Sequence, residues 1–172
     1  MDRSRFSVSG GFCVLLALFA LTVPLPWLLS ALFSAMFHEL GHIFMIYLLG
    51  GRIRLSSLGS SSADMVISPM SRGREALAAA GGPLFSLLLI LFWRFCPRIA
   101  LCAGFQLLYN LLPIYPMDGG RILSCLASEK ACALIGKICR LLLCVFVLWL
   151  AFDLKMGLFP LLLGLLLWIR TK

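Results

Sequence analysis

Apolar runs close to 20 residues long recur from one end of the chain to the other, which is the length needed to cross a hydrocarbon core of roughly 30 Å. Of the 172 residues, 62% are hydrophobic and only 13% charged, against roughly 25% charged in an ordinary soluble domain. So few charges cannot cover a water-facing surface. The sequence is therefore read as an all-α polytopic membrane protein, a single membrane-embedded domain over residues 1–172 with no separate soluble domain.

The net charge of +8 comes from 15 Lys and Arg that stand singly or in pairs near the ends of apolar runs. That distribution reads as membrane topology and excludes a nucleic-acid face. The seven cysteines include no CxxC pair and mostly lie inside apolar stretches, where cysteine acts as a small hydrophobe. They are assigned neither disulfides nor metal. Arg3 and Arg5 ahead of the first apolar run look like the start of a signal peptide. The run continues well past a signal core of roughly 7–15 residues, so an uncleaved span is expected.

Six spans are expected: Ser9 to Val23, Trp27 to Leu49, Ala76 to Trp93, Ile99 to Ala127, Ala131 or Lys137 to Leu150, and Met156 to Ile169. Pro24 and Pro26 separate the first two, and Gly50, Gly51, Arg52 and Arg54 stop the second. From Arg52 to Pro69 the short alternating apolar residues suggest a short β-hairpin or an interfacial loop. An even number of spans puts both termini on one side. Arg52, Arg54, Arg72, Arg74, Arg121 and Lys130 share that side with the basic termini, against Arg94, Arg98 and Lys155 opposite, so both termini are expected in the cytoplasm.

The only two histidines of the chain stand in His38-Glu39-Leu40-Gly41-His42, inside the second span. At i and i+4 on a helix both imidazoles share one face, so two nitrogens can reach a single Zn²⁺ at about 2.0–2.1 Å. Glu39, beside that face, is placed to take a proton from water activated by the metal. Ionisable groups at such depth each cost roughly 2.5–3.5 kcal/mol by insertion scales, which argues for a purpose.

A catalytic zinc generally takes a third protein ligand and keeps one open position. Of the seven acids, Asp118 alone, apart from Glu39, falls within an expected span. It lies in Asn110-Leu-Leu-Pro-Ile-Tyr-Pro-Met-Asp118-Gly-Gly, whose prolines and glycines break the fourth run. Such a break is tolerable at membrane depth when it faces protein or a wet cavity. The other reading is a loop at the membrane surface with a solvated Asp118. Asn110 is either a site residue or a bond to a neighbouring helix, and Arg121 either orients a ligand or is an interfacial charge.

HELGH on an early span, Gly81-Gly82-Pro83 on the next and NLLPIYPMDGGR from Asn110 to Arg121 on a later one together resemble the site-2 protease family of intramembrane zinc metalloproteases. Within it they look most like the bacterial stage IV sporulation protein FB group. The resemblance implies one zinc per chain held by His38, His42 and Asp118, Glu39 as catalytic base, and Asn110 contacting substrate or oxyanion. It implies a multi-pass protein of the bacterial cell membrane that cleaves a membrane-spanning or membrane-associated substrate protein under the control of regulatory membrane proteins. Arg52 to Pro69 then corresponds to a short membrane-associated β-structure able to pair with an extended substrate. The CBS and PDZ domains of relatives are not expected here. The rival class is a metal-binding membrane scaffold without hydrolytic activity, or a metal transporter. A transporter would show several ligands along a path, often in repeated halves, and no repeat is visible.

Overall fold

A computed structural model describes residues 5–8, 21, 23–58, 63–67 and 69–152. The expected first and last spans, at 9–23 and 156–169, lie almost entirely outside the described residues, and so does the expected six-span count.

Helix α1 runs Leu25–Leu48, with proline in its first turn, where a missing N–H costs nothing. It ends at Gly50, whose φ of 78° turns the chain so that the Gly51 and Gly50 amides donate to the Ile46 and Tyr47 carbonyls at 2.8 and 3.0 Å. Helix α2 spans Arg72–Leu91, with Glu75 in the first turn and Pro83 inside. The fourth apolar run is two helices, α3 at Pro97–Asn110 and α4 at Asp118–Leu126. At a rise of about 1.5 Å per residue α3 is roughly 21 Å long, short of a full crossing. Helix α5, Glu129–Phe152, begins ahead of both expected starts, so Lys137 and Arg140 fall inside it. There Arg140 Nε donates to the Gly136 carbonyl at 3.2 Å.

Strands β1 (Arg5–Val8), β2 (Ile53–Leu58) and β3 (Ala63–Ile67) form one sheet in the order β1-β2-β3. β2 runs antiparallel to β3, with Leu58 opposite Ala63, and parallel to β1, with Arg5 opposite Leu55. The sequence reading treats Arg5 only as a flank of the first span. A parallel partner some 50 residues away leaves no local pattern to read.

Burial in the helices is the reverse of a soluble core. α1 buries Ser30, Ser34, His38, Gly41, His42 and Ile46, and α2 buries Ala78, Ala79, Gly81, Gly82, Pro83 and Ser86. Leu29, Phe33, Met36 and Leu40 on α1, and Leu84, Leu87 and Leu88 on α2, are exposed. Small residues inside and large apolar ones outside are what helices solvated by lipid adopt, because close backbone approach rather than hydrophobic collapse holds them together. Among the described residues, α1 and α2 are long and apolar enough to cross a membrane. α2 sits centrally, packed against α1, α3 and α4, while α5 touches α4 more sparsely.

The break between α3 and α4 is an ordered turn. The Ile114 amide donates to the Leu112 carbonyl at 2.8 Å and the Met117 amide to the Ile114 carbonyl at 2.9 Å, and the Tyr115–Pro116 peptide is cis. Ile114 and Met117 are buried, with Tyr109, Leu112, Cys139 and Leu143 packed on them. This anchoring turns the start of α4 inward and carries Asp118 with it.

Candidate metal centre

His38 and His42 lie on the buried face of α1, where the helical repeat puts residues four apart. Asp118, the first residue of α4, meets them from across the bundle and is 6% exposed, so it is not a solvated loop residue. His38 Nε2 is 3.1 Å from Asp118 Oδ2 and 3.3 Å from His42 Nε2. His42 Nε2 is 3.2 Å from Asp118 Oδ2, which closes a nearly equilateral triangle of donor atoms.

The outer nitrogens show what this triangle can hold. His42 Nδ1 lies 3.0 Å from the Ala78 carbonyl oxygen, which can only accept, and 3.4 Å from the Gly82 amide; the shorter contact favours a proton on that nitrogen. A neutral His42 then turns a bare lone pair toward Asp118. His38 Nδ1 lies 2.8 Å from the Ser86 hydroxyl, a group able to accept from it. With both protons outward, two nitrogen lone pairs and a carboxylate oxygen face one another in a buried space; the Asn110 amide nitrogen reaches the His38 lone pair at 3.2 Å, and a cation among the three would satisfy the rest. A tetrahedral site with bonds of about 2.0 Å has ligand–ligand edges of about 3.3 Å, and the three distances fit that face. Two imidazoles and a carboxylate suit zinc. Among the described residues these three form a group able to hold a metal ion.

Helix α2 supplies no ligand but makes the space. A Cβ at Gly82 would collide with Nε2 of both histidines, so only glycine leaves the triangle open. Ala78, Gly82 and Ser86, four apart, form one face of α2 running along His42 and His38. The sequence reading notes Gly82 but misses Ser86 and the Ala78 carbonyl; the only available signal was a serine one turn beyond Gly81-Gly82-Pro83.

Glu39 is half-buried beside the triangle, within electrostatic range of both histidines, Asp118 and Arg121. The Asn110 amide nitrogen, at the end of α3, is 3.2 Å from His38 Nε2. One turn earlier on both helices, the Ser34 hydroxyl donates to Gln106 Oε1 at 2.9 Å, tying α3 to α1. The structure thus gathers His38, Glu39, His42, Asn110 and Asp118 in one place, with Arg121 at its margin.

No family model matches the chain. It is 30% identical over 138 residues, 66% of this chain, to a protein of Methanocaldococcus jannaschii named a zinc metalloprotease, and spans 40% of that relative's length. Its fold is like that of the site-2 protease from Methanocaldococcus jannaschii, with a TM-score of 0.60 and 23% identity over 95% of this chain and 87% of that one.

Proposed function

We propose that the chain is a membrane-embedded zinc metalloprotease of the site-2 type, hydrolysing a peptide bond in or beside a transmembrane segment of a membrane-bound substrate. The observation that carries this reading is the triangle of His38 Nε2, His42 Nε2 and Asp118 Oδ2, with edges of 3.1 to 3.3 Å and an acid beside it. The similarity to a protein named a zinc metalloprotease, and the fold shared with a site-2 protease, support it. The donors form one cluster rather than a path, which favours an enzyme over a transporter.

His38, His42 and Asp118 would hold the ion. A bound zinc supplies Lewis acidity at its open position, polarising a carbonyl and acidifying water. Glu39 accepts the proton of the attacking water and returns it to the leaving amine. The Asn110 amide, on the α3 side, donates toward the scissile carbonyl as negative charge develops on its oxygen. The Ala78 carbonyl keeps the His42 lone pair turned inward. An extended substrate adds to an open edge of the β-sheet, which unwinds it for attack. Relatedness to the sporulation group, cytoplasmic termini and product release on that side belong to the same proposal.

The test is a membrane cleavage assay of wild type and Glu39→Gln on a panel of single-span substrates, with zinc content read in parallel. Cleavage by wild type only, with zinc in both, supports the reading. Zinc in both proteins without cleavage by either favours the scaffold, and folded wild type without zinc removes the metal centre.

A further inference from the structure

Among the described residues Ser86 has one hydrogen-bond partner, and that partner is a metal-ligand candidate. It lies in the apolar second half of α2, is 0% exposed, and sets its hydroxyl 2.8 Å from His38 Nδ1. A helical serine can satisfy its hydroxyl on its own helix, as Ser30 does on the Pro26 carbonyl at 2.7 Å; here the hydroxyl reaches across to α1. We propose that Ser86 is a positioning residue of the metal centre: by accepting the His38 Nδ1 proton it fixes the ring's orientation and keeps the Nε2 lone pair on the Asp118 side. This inference rests on the proposed function and deepens it.

The two histidines are held by unlike groups. A carbonyl, as at His42, only accepts, and it belongs to the backbone of α2. A hydroxyl, as at His38, both donates and accepts, and it can be removed by one substitution. A proton on Nδ1 needs a buried acceptor, and among the described residues only Ser86 stands at hydrogen-bond distance from that atom. Without it the proton is better placed on Nε2, where Asp118 Oδ2 at 3.1 Å accepts it, at the cost of facing the Asn110 amide nitrogen, a donor 3.2 Å from the same atom. A protonated Nε2 cannot ligate. The α2 face of Ala78, Gly82 and Ser86 therefore provides an acceptor for one ring, an opening, and an acceptor for the other.

The test uses the full chain in detergent with zinc as probe. Chelator competition is run on wild type, Ser86→Ala and Ser86→Thr, with nitrogen NMR of the two histidines, whose signals are free of overlap from others because the chain has no more. Ser86→Ala is expected to weaken zinc binding by about 10- to 100-fold, the usual effect of losing an outer hydrogen-bond partner. It should also displace the His38 Nδ1 signal and leave His42 in place. Ser86→Thr, which keeps the hydroxyl, should restore both readouts. Unchanged zinc affinity in Ser86→Ala overturns the inference. So does an equal disturbance of both histidines, which marks general loosening, and so does failure of Ser86→Thr to restore either readout. Zinc bound by wild type with no cleavage of any substrate removes the proposed activity and leaves this inference standing; zinc absent from folded wild type removes both.

Discussion

Gly41 of α1 and Gly81 of α2 touch backbone to backbone: a Cβ on either would be driven into the carbonyl of the other. The contact lies beside His42 and Gly82, one residue from each, so the closest approach of the two helices and the metal centre are at the same height.

Gly81→Ala should force the helices apart there. Overpacking a filled interface costs typically about 1–3 kcal/mol, and here the obstacle is backbone that cannot rotate away. Thermal melting in detergent should fall with zinc content. Normal melting and full zinc would show that the helices are not held at this distance.

Gly82→Ala should act more locally, because its Cβ meets the tips of two side chains rather than backbone. Zinc content should drop sharply. Gly73→Ala, at an exposed helical position with nothing within 4 Å, is the matched control. It should leave zinc binding alone and stabilise α2 by about 0.5–1 kcal/mol.

Zinc should raise thermal stability, since in its absence the buried lone pairs and carboxylate oppose one another. At a free concentration about 100 times the dissociation constant the gain is about 2.7 kcal/mol. Melting with and without zinc measures it, and Asp118→Asn should abolish most of the difference. An equal gain in Asp118→Asn would place the ion elsewhere.

Leu84, half-exposed in the middle of α2, distinguishes lipid from water as the surrounding medium. Leu84→Lys should reduce membrane insertion by an amount equivalent to roughly 2.5–3.5 kcal/mol. Leu91→Lys, at the helix end, should cost much less because a lysine there can reach the interface. The inserted fraction of each, read by a glycosylation reporter, checks this; equal tolerance would mean that the face is not in lipid.

The site was unequally legible. His38 and His42 sharing a face follows from their spacing of four on any helix, without tertiary information. Asp118 stands eighty residues away, and elimination among seven acids singles it out only because so few acids exist. Ser86 looked like any small residue in an apolar helix, and the Ala78 carbonyl has no side-chain signature at all. In the fold, prolines and glycines marked the interruption of the fourth run. The start of α5 was obscured because Lys137 and Arg140 suggested a later boundary, whereas the helix accommodates both. The alliance of β1 with β2 depends on a long-range pairing that no local pattern encodes.

An interior of glycine, alanine and serine also bears on entropy. Glycine and alanine have no rotamer freedom to lose on burial, whereas long side chains each surrender up to about 2 kcal/mol. The contacts that Gly41, Ala78, Ala79, Gly81 and Gly82 make between α1 and α2 are therefore almost free of side-chain ordering cost. At these five positions no compliant side chain can absorb a shift, and Phe85 of α2 flanks them, packed on Phe37 and Phe44 of α1 at ring-centroid distances of 5.2 and 5.6 Å. The pair should behave as one stiff body, and any motion of the bundle must be carried by elements that pack more loosely around it.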